Sequence, residues 1–389
     1  MKNRIMSIVK IPKVSIPVML LYLIINSLFI VKYTSRIGLN PHSILLVYIT
    51  LLVLVYITFF FIKERISIRF LRNAFWIVFL INCAGIIYFL ITLDPYKLRI
   101  DRWSAIHNFI QNLFEGKYPY AAKTHCGGYG SPFPVWHIFH IPFYIMGNVG
   151  LGMLFSIIIT PFILYKYFKS YLNIFIFMLL LLLSPGFWYE VAVRSDLIYN
   201  FIICLLLIVY IYKKRYSIQS HPVAIGIIGG LMLSTRFSII IPFSIFLLPY
   251  FFNSDLKKKI NFAITALAVF IATFLPFALW NFNTLFFFKY NPFVLQTRQG
   301  SLFEVIIITL LGTYLSIQWK NKLVLCTAYI SVCLFCLVSI TFTHAILSGA
   351  YKINLIESAY DITYFNMSLP FIIFAISGSF IVNPHKAND

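Results

Sequence analysis

Residues 323–345, LVLCTAYISVCLFCLVSITFTHA, contain no Asp, Glu, Lys or Arg. A run of about 20 apolar residues matches a hydrocarbon core about 30 Å thick. Backbone inside lipid must satisfy its own hydrogen bonds, so such a run means a helix. Comparable runs recur at approximately 14–32, 43–62, 73–93, 133–147, 149–166, 172–189, 196–212, 221–236, 237–252, 260–280, 302–319 and 362–382. None has the strict alternation of an outer-membrane barrel. With 61% hydrophobic residues and a mean hydropathy of +0.89, the chain has more apolar side chain than a soluble domain of 389 residues can bury. The expected fold class is therefore all-α, a polytopic membrane protein.

The formal charge of +20 would suggest nucleic acid in a soluble chain. Here the basic residues punctuate the apolar runs as topology signals do, and no nucleic-acid partner is expected. The clusters are Lys2/Arg4/Lys10/Lys13, Lys63/Arg65/Arg69/Arg72, Lys166/Lys169, Lys213/Lys214/Arg215, Lys257/Lys258/Lys259 and Lys320/Lys322. If residues 133–147 spanned, the last four clusters would lie opposite the first two. If that Pro- and His-containing segment lies in the interface, all six share one side. The second arrangement gives about twelve spanning helices, both termini cytoplasmic, in a bacterial inner membrane or its equivalent. Asp94, Asp101, Glu115, Glu190, Asp196, Glu304, Glu357 and Asp361 then fall on the outer side. Acids contribute little to orientation, so their sorting points to chemistry or ion pairing. No linker divides the chain, and residues 1–389 are expected to form one domain. Cys83, Cys204, Cys326, Cys333 and Cys336 sit in apolar runs and Cys126 alone in a polar loop, so no disulfide framework is expected.

The longest polar stretch, Asp94–Ser131, opens an outer region (94–147) in which interfacial helices are expected. Trp103, Ile106, Ile110 and Leu113/Phe114 recur at helical spacing, with Asp101, Ala105, Asn108, Asn112 and Glu115 on the other face. Gly116 reads as a helix stop. Asp101 opens this helix. It fits an N-cap, and it fits a general base that takes a proton from an attacking hydroxyl. Asp94 is the reserve candidate. His137 and His140 could share a helix face and hold a metal, but no third ligand is identifiable, and interfacial or substrate contacts suit them better. His107, near Asp101, is a candidate substrate contact.

The run Asp101–Trp103–Ala105, then Gly116–Lys117–Tyr118–Pro119–Tyr120, then Tyr129–Gly130–Ser131–Pro132–Phe133–Pro134 and Pro142, resembles the first outer loop of GT-C superfamily glycosyltransferases. It is most similar to the polyprenyl-phosphate-mannose-dependent branch, glycosyltransferase family 87 and its relatives. The resemblance implies transfer of a hexose, mannose foremost, from a polyprenyl-phosphate donor to a glycan or lipid acceptor on the outer side. It gives Asp101 the role of base. Arg194–Ser195–Asp196, Arg236 and Asp361–Ile362–Thr363–Tyr364 resemble later polar features of the same proteins. Tyr120, His137, His140, Asp196, Asp361 and Tyr364 are accordingly candidate substrate contacts.

Such chemistry needs a cation for the leaving phosphate. Arg194, Arg236 and Arg298 are the candidates, because a guanidinium can donate two parallel hydrogen bonds. Snorkelling to the interface is the other reading of each. No cofactor is expected, and without an Asp-x-Asp motif nothing supports an obligatory divalent metal. Two alternatives remain open: a lipid-linked glycan polymerase or ligase, whose large loop usually falls later, and a transporter or lipid-linked glycan flippase, toward which Gly229–Gly230, Pro242 and Pro276 point.

Overall fold

The computed structural model describes residues 15–36, 38–62, 66–98, 100–297, 301–349, 351–357 and 360–380. In chain order the helices are α1 (Ser15–Arg36), α2 (Pro41–Ile62), α3 (Ile68–Thr92), α4 (Arg102–Phe114), α5 (Pro134–Ile145), α6 (Leu151–Phe168), α7 (Tyr171–Leu182), α8 (Pro185–Ala192) and α9 (Leu197–Lys213). They continue as α10 (Pro222–Leu233), α11 (Ile240–Phe252), α12 (Leu256–Trp280), α13 (Phe282–Phe286), α14 (Pro292–Thr297), α15 (Leu302–Gln318), α16 (Leu323–Ser348) and α17 (Leu369–Ser379). Among the described residues there is no strand, and a lone bridge joins Lys123 to Tyr129.

Seven segments are long and apolar enough to cross a membrane: Ile16–Arg36, Pro41–Thr58, Ile68–Thr92, Leu151–Phe168, Leu256–Trp280, Leu323–Ser348 and Ile362–Ser379. The chain is a polytopic helical membrane protein. A further apolar stretch is broken, as a bent span or a re-entrant loop is: α7 and α8 meet at 64°. Pro185 lacks the N–H that a continuous helix needs, and Ser184 caps the new helix by accepting from Phe187 N at 3.2 Å. The run 172–189, read as continuous in the sequence, is thus two helices.

Burial separates the centre from the rim. Residues 362–379 are 89% buried, whereas the α2 segment is only 6% buried and leaves side chains such as Leu46 and Val47 exposed. At the rim α10 and α12 approach closely. A Cβ on Gly226 would meet Thr265 Cβ at 2.8 Å, and one on Gly230 would meet the Ala266 carbonyl at 2.5 Å. Gly226 and Gly230 are four apart on one face, the small-residue spacing that lets membrane helices approach. At 12 residues α10 rises about 18 Å, short of the hydrocarbon core. It ends at Leu233 because the next residues turn inward, where Ser234 O and Thr235 O accept from Val135 N (3.0 Å) and Phe133 N (3.1 Å) at the start of α5.

The two ends of the bundle differ in charge. Lys213 donates to the Lys166 carbonyl, Tyr212 OH to Asn321 O at 2.7 Å, and Gln219 to Asp255 at 2.7 Å, which gathers the basic clusters at 166–169, 213–215, 257–259 and 320–322 at one end. Lys169, Arg215 and Lys320 stop helices there with positive φ (56°, 55° and 46°). A glycine would adopt that conformation more easily, but a cation also complements the exposed carbonyls. Ser195, Asp196 and the 94–133 loop lie at the opposite end, about 26 Å away along the 17 residues of α9.

Candidate active-site cavity

The loop is fixed by its own chemistry before it meets the bundle. Trp103, Ile106, Phe109 and Ile110 form the buried stripe of α4. Ala105 is buried as well, because Gly130 packs on it: a Cβ on Gly130 would sit 3.4 Å from the Ala105 carbonyl. Phe114, expected in the apolar stripe, is 58% exposed. Gly116 (φ +69°) ends the helix in a Schellman arrangement, with Lys117 N donating to Asn112 O at 2.8 Å and Gly116 N to Leu113 O at 3.3 Å.

Asp101 occupies the N-cap position of α4, yet its side chain caps nothing. Its Oδ2 accepts from Thr124 Oγ1 at 2.7 Å instead. Beside it opens a cavity of about 780 Å³, lined on one wall by Lys32, Tyr33 and Arg36 at the end of α1, and elsewhere by Lys97, Asp101, Arg102, Tyr189, Ser195, Glu357, Tyr360, Asp361 and Thr363. Such a volume suits a small-molecule site.

Arg102 forms the floor. It donates from Nη2 to Asp361 Oδ2 and to Thr363 Oγ1, each at 2.7 Å, and from Nη1 to Ser195 Oγ at 3.3 Å. Its guanidinium lies 5.0 Å from the centre of the Tyr364 ring. Burial works against its charge, but Asp361, Tyr364 and Glu190 outweigh burial and hold its pKa above the ordinary value. On the facing wall Lys32 Nζ donates to the Tyr360 carbonyl at 3.3 Å, and Lys32 and Arg36 flank the Tyr33 ring at 5.6 and 5.2 Å. Tyr33 in turn stacks on Tyr189 at 4.4 Å. A charged lysine 3% exposed near a helix end marks a site rather than a topology signal.

The other candidates lie elsewhere. Asp94 is exposed and caps the turn Pro95–Lys97 through Tyr96 N at 3.0 Å. Arg194 (φ +50°) donates from Nη2 to the carbonyls of Leu90 and Leu93, both at 2.8 Å, closing the C-terminus of α3. Arg236 and Asp196 form a buried ion pair, joined by Trp136 Nε1 at 2.7 Å from Asp196 Oδ2. Burial pushes the Asp196 carboxyl up, but Arg236 and Arg102 outweigh it, so its pKa sits below the usual value. Arg298 lies outside the described residues.

The α5 histidines are packed against neighbours. His137 stacks on Phe109 at 3.6 Å and meets the Pro132 carbonyl at 3.1 Å; His140 meets the Trp136 carbonyl at 2.6 Å and the Tyr199 hydroxyl. Burial pushes His137 down to about 3 and His140 down to about 4. Tyr120 is buried between Phe109 and Phe277. His107 packs 4.9 Å from Tyr144, and burial lowers its pKa. Among the described residues no three His, Cys, Asp or Glu side chains are grouped to hold a metal ion.

Of the candidates, Asp101 and Asp361 line the cavity and Tyr364 lies under its floor. Arg102, Lys32, Arg36 and Thr124 were not singled out in the sequence. The available signal was charge on the wrong side: Lys32, Arg36, Lys97 and Arg102 are cations at the end of the bundle where acids gather. No protein-family model, curated protein or solved structure matches this chain.

Proposed function

We propose that the chain is a membrane glycosyltransferase of the GT-C kind, similar to the polyprenyl-phosphate-mannose-dependent enzymes. It moves a hexose, mannose foremost, from a polyprenyl-phosphate donor to a glycan or lipid acceptor. The observation that carries the reading is the pairing, in one cavity, of Asp101 with the cations Arg102, Lys32 and Arg36. In this reading the bent α7–α8 pair and the four shorter apolar segments are crossings beside the seven long spans, twelve in all. By the positive-inside bias the basic end is cytoplasmic, both termini lie with it, and the cavity opens on the outer face.

The donor's lipid stays in the bilayer and its phosphate and sugar enter the cavity. Asp101 takes the proton of the acceptor hydroxyl as that oxygen bonds to the anomeric carbon. The bond from this carbon to the phosphate oxygen breaks, and the electron pair leaves with the polyprenyl phosphate. Arg102, positioned by Ser195 and Thr363, exchanges Asp361 for the phosphate and stabilises that charge. One displacement inverts the anomeric centre, and a single carboxylate suffices.

A second reading, a transporter or lipid-linked glycan flippase, is favoured by the bent α7–α8 helix and by the buried charges Glu190, Asp196 and Arg236. The deciding experiment supplies purified protein with radiolabelled polyprenyl-phosphate sugars and a natural acceptor pool, and compares wild type with Asp101→Asn. Transfer lost in the variant supports the transferase. Absence of transfer by wild type from every donor moves the case to transport.

A further inference from the structure

Residues 123–129 form a small closed turn. Lys123 bridges Tyr129, Thr124 N donates to Gly128 O at 2.9 Å, and Gly127 N donates to Thr124 O at 2.9 Å with Gly127 at φ +84°. The turn is anchored to α4 from both sides: Asn108 Nδ2 donates to the Lys123 carbonyl at 2.8 Å, and His125 bridges Ser104 Oγ (2.8 Å) and the Leu98 carbonyl (2.8 Å). It holds Thr124, 5% exposed, against Asp101.

A hydroxyl has one hydrogen and two lone pairs. Thr124 Oγ1 accepts from Gly128 N at 2.9 Å, which fixes the rotor on its accepting side. The remaining hydrogen points to Asp101 Oδ2 at 2.7 Å. Gly128 permits this approach, since a Cβ there would sit 3.0 Å from Asp101 Oδ2 and 3.4 Å from Thr124 Oγ1. Among the described residues Oδ1 takes no hydrogen bond.

We propose that Thr124 is the positioning residue of Asp101: it occupies Oδ2 and sets the carboxylate plane so that Oδ1 meets the acceptor hydroxyl. The proposal rests on Asp101 being the base. A base held in one geometry is worth far more than a base free to rotate, and a displacement of about 1 Å can cost about 100-fold in rate.

The test measures kcat and donor KM for wild type, Thr124→Val, Thr124→Ser, Gly128→Ala and Asp101→Asn, using the radiolabelled polyprenyl-phosphate sugar that wild type transfers best. Thr124→Val keeps the shape and removes the hydroxyl, so kcat should fall about 100-fold with donor KM unchanged. Thr124→Ser restores the hydroxyl and should stay within a few-fold of wild type. Gly128→Ala crowds the same carboxylate from the other side and should lower kcat while leaving the melting temperature in place. It carries the test if Thr124→Val fails to fold.

Equal loss in Thr124→Val and Thr124→Ser would make the packing of the whole side chain, and not its hydroxyl, the important part and overturn the proposal; so would loss in Thr124→Ser alone, which would assign the role to the methyl group. Full turnover in Thr124→Val with an inactive Asp101→Asn would leave the base standing and remove the positioning role. An active Asp101→Asn, or a wild type that transfers from no donor, would remove both.

Discussion

Two Arg–Asp pairs in this molecule look alike on paper and differ in place. Arg236–Asp196 has side-chain exposures of 8% and 1% and lies behind α5. Arg102–Asp361 has exposures of 15% and 44% and lies on the cavity floor. In the first, both charges are closed off from water and Asp196 also takes the Trp136 indole N–H. In the second, the carboxylate faces open space and is held from behind by Thr363 N at 3.0 Å. A sealed pair can only specify packing. A pair with one open partner can exchange that partner for another anion.

The largest effect should follow from breaking the sealed pair. Removing one partner of a buried ion pair leaves an uncompensated charge and costs about 3–5 kcal/mol. Arg236→Met should therefore lose folded yield and melt much earlier in detergent, before any question of activity arises. The double variant Arg236→Met/Asp196→Leu should recover most of that stability, since a well-packed apolar replacement is often neutral. A stable, active single variant would mean that the two pairs do not differ as their burial suggests.

Arg102→Gln should behave in the opposite way. The fold should survive, because Arg102 reaches into a cavity and Thr363 and Ser195 keep their own positions. Turnover should fall about 100-fold, as expected when one donor to developing charge is lost. Equal losses of stability and activity would make Arg102 a second packing residue.

Much of the fold was written in apolar periodicity, whereas the site was legible only in part. The apolar runs place most helices because a crossing needs length and hydrophobicity, both local properties. The bend at Ser184–Pro185 had a local signal too, a capping serine before a proline. The early end of α10 had none: the carbonyls of Ser234 and Thr235 turn away to meet α5, a long-range event. Asp101 and Asp361 could be read because acids at a membrane surface stand out. Arg194 and Arg236 stood out equally as arginines near helix ends, but one closes α3 and the other seals a buried acid. Which arginine faces a cavity depends on where α1 and residues 361–363 come together, and no spacing encodes that.

The sealed region should also carry an acid-side stability loss. Burial depresses His137 to about 3 and His140 to about 4, below the unfolded value of about 6.5. The unfolded chain therefore binds protons first as pH falls. The stability from keeping these rings neutral is fully present above about pH 6.5 and is lost progressively toward pH 4. Melting temperature measured across that window should drop in wild type and drop less in His137→Phe, a substitution that preserves the stacking on Phe109. An equal drop in both would place the acid sensitivity elsewhere.

The smallest effect is the one that separates the two pairs by sign. Asp361 competes with any phosphate for Arg102, so Asp361→Asn should tighten binding of a sugar-free polyprenyl phosphate in nanodiscs. Removing one unit charge from a partly solvated site is worth about 1 kcal/mol, or about fivefold in affinity. A general electrostatic gain would appear equally in Glu357→Gln, whose carboxylate also lines the cavity but whose nearest cation is Lys352 at 4.0 Å. The expected order is Asp361→Asn tightest, Glu357→Gln intermediate and wild type weakest. Weaker binding in Asp361→Asn would mean that this carboxylate holds the guanidinium in place for phosphate instead of competing with it. The exposed pair would then be as structural as the sealed one.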